Sequence, residues 1–142
     1  MRYPVAIHKD PDSDYGVTVP DLPGCFSAGD SVDDAVNNAI EAIECHVEGL
    51  LVDGEVIPLG TAIETHKENS DFADAYVWLF VDVDLSKLSG ETKRFNVTMP
   101  ERILSQIDAY VDTHPGSRSG VLAEAAIEYI ATHSEDKPKV AA

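Results

Sequence analysis

A chain of 142 residues has room for one ordinary domain or two small ones. Hydrophobic residues make up 44% of it, as in a globular protein, and no apolar run approaches the length of a membrane span, so a helical membrane protein is excluded. The formal net charge of −16 argues against nucleic-acid binding by the chain as a whole; it points to a basic partner, or to acid that only keeps the protein soluble.

That charge is unevenly spread. Residues 1–92 hold four basic and nineteen acidic side chains, a net of −15, whereas residues 93–133 hold four and five. The opening MRYPVAIHKDPDSD has no apolar stretch behind its single Arg, so no secretory signal is read and a cytoplasmic location is expected. Cys25 and Cys45 are the only cysteines, and both are read as reduced thiols rather than a disulfide or metal pair.

Tyr3 to Ile7 is a short strand, His8 to Asp14 a polar turn, and Tyr15 to Val19 a second, alternating strand, so residues 3–19 read as a hairpin. Carboxylates at Asp10, Asp12 and Asp14 resemble the start of a calcium loop. That loop needs its turn glycine where Tyr15 stands, its bidentate Glu where Asp21 stands, and helices where strands stand, so these are solvated turn residues. Pro20 to Asp30 is a tight extended connection in which Cys25-Phe26-Ser27 forms a third short strand. Ser31 then caps a helix, with Asp34 three residues on approximating a capping box. Val32, Val36, Ala39, Ile40, Ile43, Val47 and Leu50 fall on one face of it, and the helix runs to about Leu51.

Asp53-Gly54 turns the chain, Val56-Ile57-Pro58 is a short extended piece, and residues 60–74 read as a polar loop with at most a turn of helix. Ala75 to Leu85 is the most hydrophobic strand. Val77, Leu79, Val81 and Val83 lie on one face, while Tyr76, Trp78 and Phe80 on the other indicate that this face is covered too, by the helix or by a partner. Residues 86–92 read as a flexible linker.

From Lys93 the pattern changes. Phe95, Val97 and Met99 alternate with Arg94, Asn96 and Thr98 in a strand that Pro100 ends while opening a helix. Ile103, Leu104, Ile107, Tyr110 and Val111 follow at helical spacing until His114-Pro115-Gly116 stops it. Ser117 caps a second helix, apolar nearly all round, whose main stripe is Val121, Leu122, Ala125, Ala126, Tyr129 and Ile130, with Ala123 and Ile127 outside it. A lone strand cannot satisfy its own backbone, and so short a unit buries too little surface to fold alone. A homodimer solves both problems, with two strands paired as a ribbon and four helices interlocked behind it; whether dimers pair into tetramers stays open. The order strand, Pro, helix, Gly-Ser-Arg-Ser turn and apolar helix resembles the ribbon-helix-helix family of repressors, whose ribbon enters the DNA major groove. The resemblance implies that Arg94, Asn96 and Thr98 read base edges, as their donor and acceptor chemistry allows, and that the turn carrying Ser117 and Arg118 contacts a phosphate. The unit's near-neutral charge predicts modest, salt-dependent DNA binding. Residues 134–142 read as a disordered polar tail.

The N-terminal order is thus β-β-β-α-β. The block PDLPGCFSAGDSVDDAVNNAIEAIECHVEGL, behind a Tyr-led strand and ahead of Val-Ile-Pro, resembles the HicB antitoxin family over residues 3–85. In that family such a domain precedes a DNA-binding module, in many members of ribbon-helix-helix type. The resemblance implies an α+β protein: a degenerate ribonuclease H-like HicB domain over residues 1–85, a linker over 86–92, and a ribbon-helix-helix domain over 93–133. It further implies a type II toxin–antitoxin system, in which the acidic domain blocks HicA, a small basic toxin that cleaves mRNA, and the dimer represses its operon at inverted operator half-sites. After Pro58 this chain has Leu59-Gly60 where the family pattern leads one to expect a further Pro or Ser.

A metal-dependent nuclease would need carboxylates converging from several elements, and Asp21, Glu44, Glu48, Asp82 and Asp84 are the available candidates. With nineteen acids in 92 residues, a solvated surface is the better reading. His8, His46, His66, His114 and His133 show no metal-ligand spacing, so no catalysis, metal or cofactor is expected. The alternative to an antitoxin is a stand-alone repressor whose N-terminal domain senses a ligand or drives oligomerisation.

Overall fold

Tyr3, Val5 and Ile7 have no exposed surface, and they occupy alternate positions of an interior strand of the sheet. The computed structural model describes residues 1–88 and 91–134. Strand β1 (Arg2–Lys9) pairs on one side with β2 (Tyr15–Thr18) and on the other with β4 (Val77–Asp82), and β3 (Phe26–Gly29) joins beyond β2. All pairings are antiparallel; Ile7 stands opposite both Val17 and Val77, and Tyr3 opposite Val81. Odd-numbered residues of β1 therefore share one face with Val17, Leu79 and Val81.

That face is covered by α1 (Val32–Val52). Ala35, Ala39, Ile43 and Val47 recur every fourth residue and are wholly buried; the last three belong to the face expected from the sequence, whereas Ala35 does not, and Val32, Val36, Ile40 and Leu50 of that face are half-buried. The Ser31 hydroxyl accepts from the Asp34 amide at 3.1 Å, and Asp33 and Asp34 lie in the positive first turn. Two alanines in the first half let the helix lie close: a Cβ on Gly29 would come within 2.3 Å of the Ala35 nitrogen. Val19, Leu22, Cys25, Ile57, Val83 and Leu85 complete the core. The β-β-β-α-β order expected from the sequence is the order observed, as a four-stranded antiparallel sheet with helices.

The 60–74 connection holds more structure than the single turn expected of it. It contains α2 (Ile63–Lys67) and a one-turn 3-10 helix, Ser70–Phe72. His66 stacks on Trp78 with ring centroids 6.2 Å apart, and Phe72 meets Trp78 edge-on at 5.8 Å. Part of the second face of β4 is thus covered by this connection rather than by the long helix or a partner.

The linker expected over 86–92 also begins ordered. Leu85–Lys87 forms a 3-10 turn capped by Asp84, whose carboxylate accepts from the Ser86 amide at 3.0 Å and its hydroxyl at 2.6 Å. Leu85 is buried and Leu88 packs on the core. Two helices follow, α3 (Glu101–Thr113) and α4 (Arg118–His133). Ile127 of α4 packs against the N-terminal core, and Glu124 lies 3.0 Å from the Met1 ammonium. The side of α4 outside its main apolar stripe therefore rests on the chain's own N-terminal domain. Beyond Ser134 the expected tail lies outside the described residues.

Candidate functional site

Between Glu91 and Pro100 the chain forms no strand, and no strand of the described residues pairs with it. The strand expected over 93–99, and expected to pair in a dimer, is thus absent from the single chain: a strand needs a ladder partner, and no strand of the described residues supplies one. Arg94, Asn96 and Thr98 are all exposed. So are the apolar residues that alternate with them, Phe95 at 80% and Val97 at 61%.

Pro100 stands one position ahead of α3, where its carbonyl accepts from the Ile103 and Leu104 amides. Leu104, Ile107 and Val111 of α3 are half-buried. Neither α3 nor α4 holds a buried residue, whereas Ile103, Tyr110, Tyr129 and Ile130 are each at least half exposed. Among the described residues nothing covers these apolar side chains of the two helices.

Gly116 turns the chain at φ 126°, a conformation that favours glycine, and Ser117 caps α4 by accepting from the Gly120 amide at 3.0 Å. Arg118 does not point free toward a ligand. Its guanidinium donates to both oxygens of Asp108 at 2.9 Å, a fork matched to a carboxylate. A phosphate at this turn would have to displace Asp108 from an exposed pair, an exchange that costs little in water. Sequence reasoning could not see this ion pair, because Asp108 and Arg118 meet only once the interhelical turn has brought the helices together.

A second polar cluster joins the sheet to the 60–74 connection. Asp21, just beyond β2, accepts from the Thr61 amide at 3.0 Å and the Thr61 hydroxyl at 2.9 Å. His66 Nε2 lies 3.0 Å from the same carboxylate and 2.8 Å from the Thr61 hydroxyl. One imidazole nitrogen serves both contacts, so the cluster is a staple rather than a proton relay.

Of the other candidate carboxylates, Asp82 is taken by Arg2 at 3.1 Å and Asp84 by Ser86, while Glu44 and Glu48 lie apart from them on α1. Among the described residues no three His, Cys, Asp or Glu side chains converge as a metal site would require. The perturbed groups have structural causes. Burial pushes the Tyr3 hydroxyl and the Cys25 thiol up, and the Ser86 hydroxyl holds Asp84 below the usual carboxylate range. Cys25 is buried, Cys45 is exposed, and both are free. No helix among the described residues is long and apolar enough to cross a membrane.

Together these features define a mixed α/β domain with its own core, joined to a helix pair that leaves Ile103, Tyr110, Tyr129 and Ile130 uncovered. A family model described as "HicB_like antitoxin of bacterial toxin-antitoxin system" matches residues 3–126, and the chain belongs to that family. The crystal structure of the Burkholderia pseudomallei antitoxin HicB is 46% identical, with a TM-score of 0.76, and the match covers 92% of this chain and 98% of that one. An uncharacterized 14.9 kDa protein of Haemophilus phage HP1 is 43% identical over 128 residues, 89% of this chain and 95% of the phage protein. A chain of a HicA3 and HicB3 toxin–antitoxin complex is 29% identical, with a TM-score of 0.51, over 59% of this chain and 99% of that one.

Proposed function

We propose that this protein is the antitoxin of a type II pair and the repressor of its own operon. The acidic N-terminal domain binds and blocks a basic, HicA-like mRNA-cleaving toxin, and opposite charge speeds their encounter. Residues 93–133 form a ribbon-helix-helix dimer in which two copies of 93–99 pair and present Arg94, Asn96 and Thr98 to the major groove of an inverted-repeat operator. Ser117 and Arg118, at the start of α4, approach a phosphate, with Arg118 exchanging Asp108 for it.

One observation carries this reading. The N-terminal domain completes its own core, whereas the C-terminal helices bury no residue and leave Phe95, Val97, Tyr110, Tyr129 and Ile130 open. A second copy offers the same residues in return, as a two-fold interface requires.

The test joins mass to binding. Sedimentation should give at least twice the 15.3 kDa chain mass, and the protein should shift a duplex from its own promoter. Arg94→Ala and Asn96→Ala should remain dimeric and lose that shift, whereas Ile130→Asp should lose both dimer and shift. A monomeric wild type that nevertheless binds DNA would refute the ribbon.

A further inference from the structure

Strand β4 closes one side of the sheet. β1 pairs with its inner side, and no strand of the described residues lies along its outer side. At the end of this ladder the Met1 nitrogen donates to the Val83 carbonyl at 2.6 Å, and the Val83 amide returns a bond to Met1 at 2.8 Å. Antiparallel pairing alternates, so Leu79 and Val81 also turn their backbone groups toward β1, while Trp78, Phe80 and Asp82 turn theirs outward. A six-residue edge with no proline, no lysine and a single carboxylate is one that proteins ordinarily protect.

The side chains along this edge are apolar yet open. Phe80 is 45% exposed and Tyr76 is 63% exposed. A shallow pocket of about 470 Å³, lined by Phe72, Tyr76, Trp78 and Lys67 among others, opens beside the start of the strand. Carboxylates bracket the stretch: the Asp74 and Asp82 side chains are 78% and 72% exposed, and each has one neighbour on β1, His8 at 3.4 Å and Arg2 at 3.1 Å.

We infer that the outer edge of β4 is the docking line for the basic partner, which adds a strand of its own to the sheet. This rests on the antitoxin reading and names the surface that reading leaves open. Outward N–H and C=O groups of Trp78, Phe80 and Asp82 supply main-chain hydrogen bonds, Phe80 packs against an apolar side chain of the incoming strand, and the largely polar pocket beside Tyr76 receives a polar one. Charge selects the occupant. A second copy would bring a domain of net −15 against its own like, whereas Lys and Arg flanking an incoming strand would share Asp74 with His8 and Asp82 with Arg2.

The experiment titrates the full chain against the basic toxin of the proposed pair, with thermal unfolding measured for every variant. Phe80→Pro removes an outward N–H without touching the β1 ladder, and Asp82→Lys reverses a bracketing charge. Glu41→Lys makes the same charge reversal on the exposed side of α1. Phe80→Pro and Asp82→Lys should each weaken binding about tenfold or more, with Glu41→Lys close to wild type. If Phe80→Pro does not fold, Asp82→Lys against Glu41→Lys decides. Binding by wild type that none of the edge variants weakens overturns this inference and leaves the antitoxin reading standing, as does equal loss in all three. An edge variant that changes the oligomeric state with toxin binding intact assigns the edge to a second copy and also overturns it. No binding by wild type overturns the antitoxin reading itself.

Discussion

Gly60 offers the sharpest test of how the 60–74 connection is seated. A Cβ at this position would stand 2.1 Å from the Arg2 carbonyl oxygen and 3.2 Å from the Tyr3 Cα, and both belong to the interior strand β1. Its φ lies outside the left-handed region, so space alone decides the cost. Ordinary contact begins near 3.4 Å, so Gly60→Ala must drive residues 58–61 off β1 by roughly an ångström. Two attachments sit on that segment: the Tyr3 hydroxyl donates to the Pro58 carbonyl at 2.8 Å, and the Thr61 amide donates to Asp21 at 3.0 Å. Overpacking costs about 1–3 kcal/mol and each strained hydrogen bond about 1 kcal/mol, for a total of roughly 2–4 kcal/mol. For a domain of this size that lowers Tm by roughly 10–25 °C. Gly49 makes the matched control, because it lies inside α1 with nothing within 4 Å of its Cβ position. Gly49→Ala should therefore stabilise by about 0.5–1 kcal/mol, raising Tm by a few degrees. Circular-dichroism melting of the three proteins reads both signs. A Gly60→Ala protein that melts with or above wild type would refute the close approach and the reasoning built on it.

Two further outcomes follow from the titrating groups. The folded-state pKa of Asp84 is depressed, so its contribution is present above the ordinary carboxylate value of 3.8 and is lost as pH falls through the lower folded value. With its side chain 42% exposed, that contribution is held below about 1 kcal/mol. Asp84→Asn should lower the urea midpoint at pH 7 and flatten its fall between pH 5 and pH 3; an unchanged acid slope would contradict the Ser86 cap. Cys45 should react with a thiol reagent at once, and Cys25 only as fast as the domain opens, since burial both covers its thiol and raises its pKa. Equal rates for the two would place Cys25 outside the core.

What the sequence revealed was what local periodicity encodes. The alternation of Tyr3, Val5 and Ile7 and the stripe of Ala39, Ile43 and Val47 decide which sides face inward, and the structure buries all of them. Contacts between distant positions left no such trace. Thr61 and His66 converge on Asp21 from some 40 residues away, and nothing in their neighbours announces it. Leu59-Gly60 stood out only as a departure from the expected Pro or Ser; its meaning is the approach of Arg2. The all-round apolarity of α4 was legible, but not its division of labour. Ile127 meets the chain's own N-terminal core, while Ala125, Ala126, Tyr129 and Ile130 stay open. The candidate readers Arg94, Asn96 and Thr98 are exposed together with Phe95 and Val97, on a segment that no strand of the described residues pairs with.

The measurement closest to the centre of this account is co-expression of the full chain with the basic toxin of its proposed pair, read by growth, co-purification and operator binding together. Wild type should restore growth, copurify with the toxin and shift operator DNA. Arg94→Ala with Asn96→Ala should keep the first two and lose the third. Loss of all three in that variant would make 93–99 a structural strand rather than a reader, and wild type that neither rescues growth nor holds the toxin would leave a stand-alone repressor in place of an antitoxin.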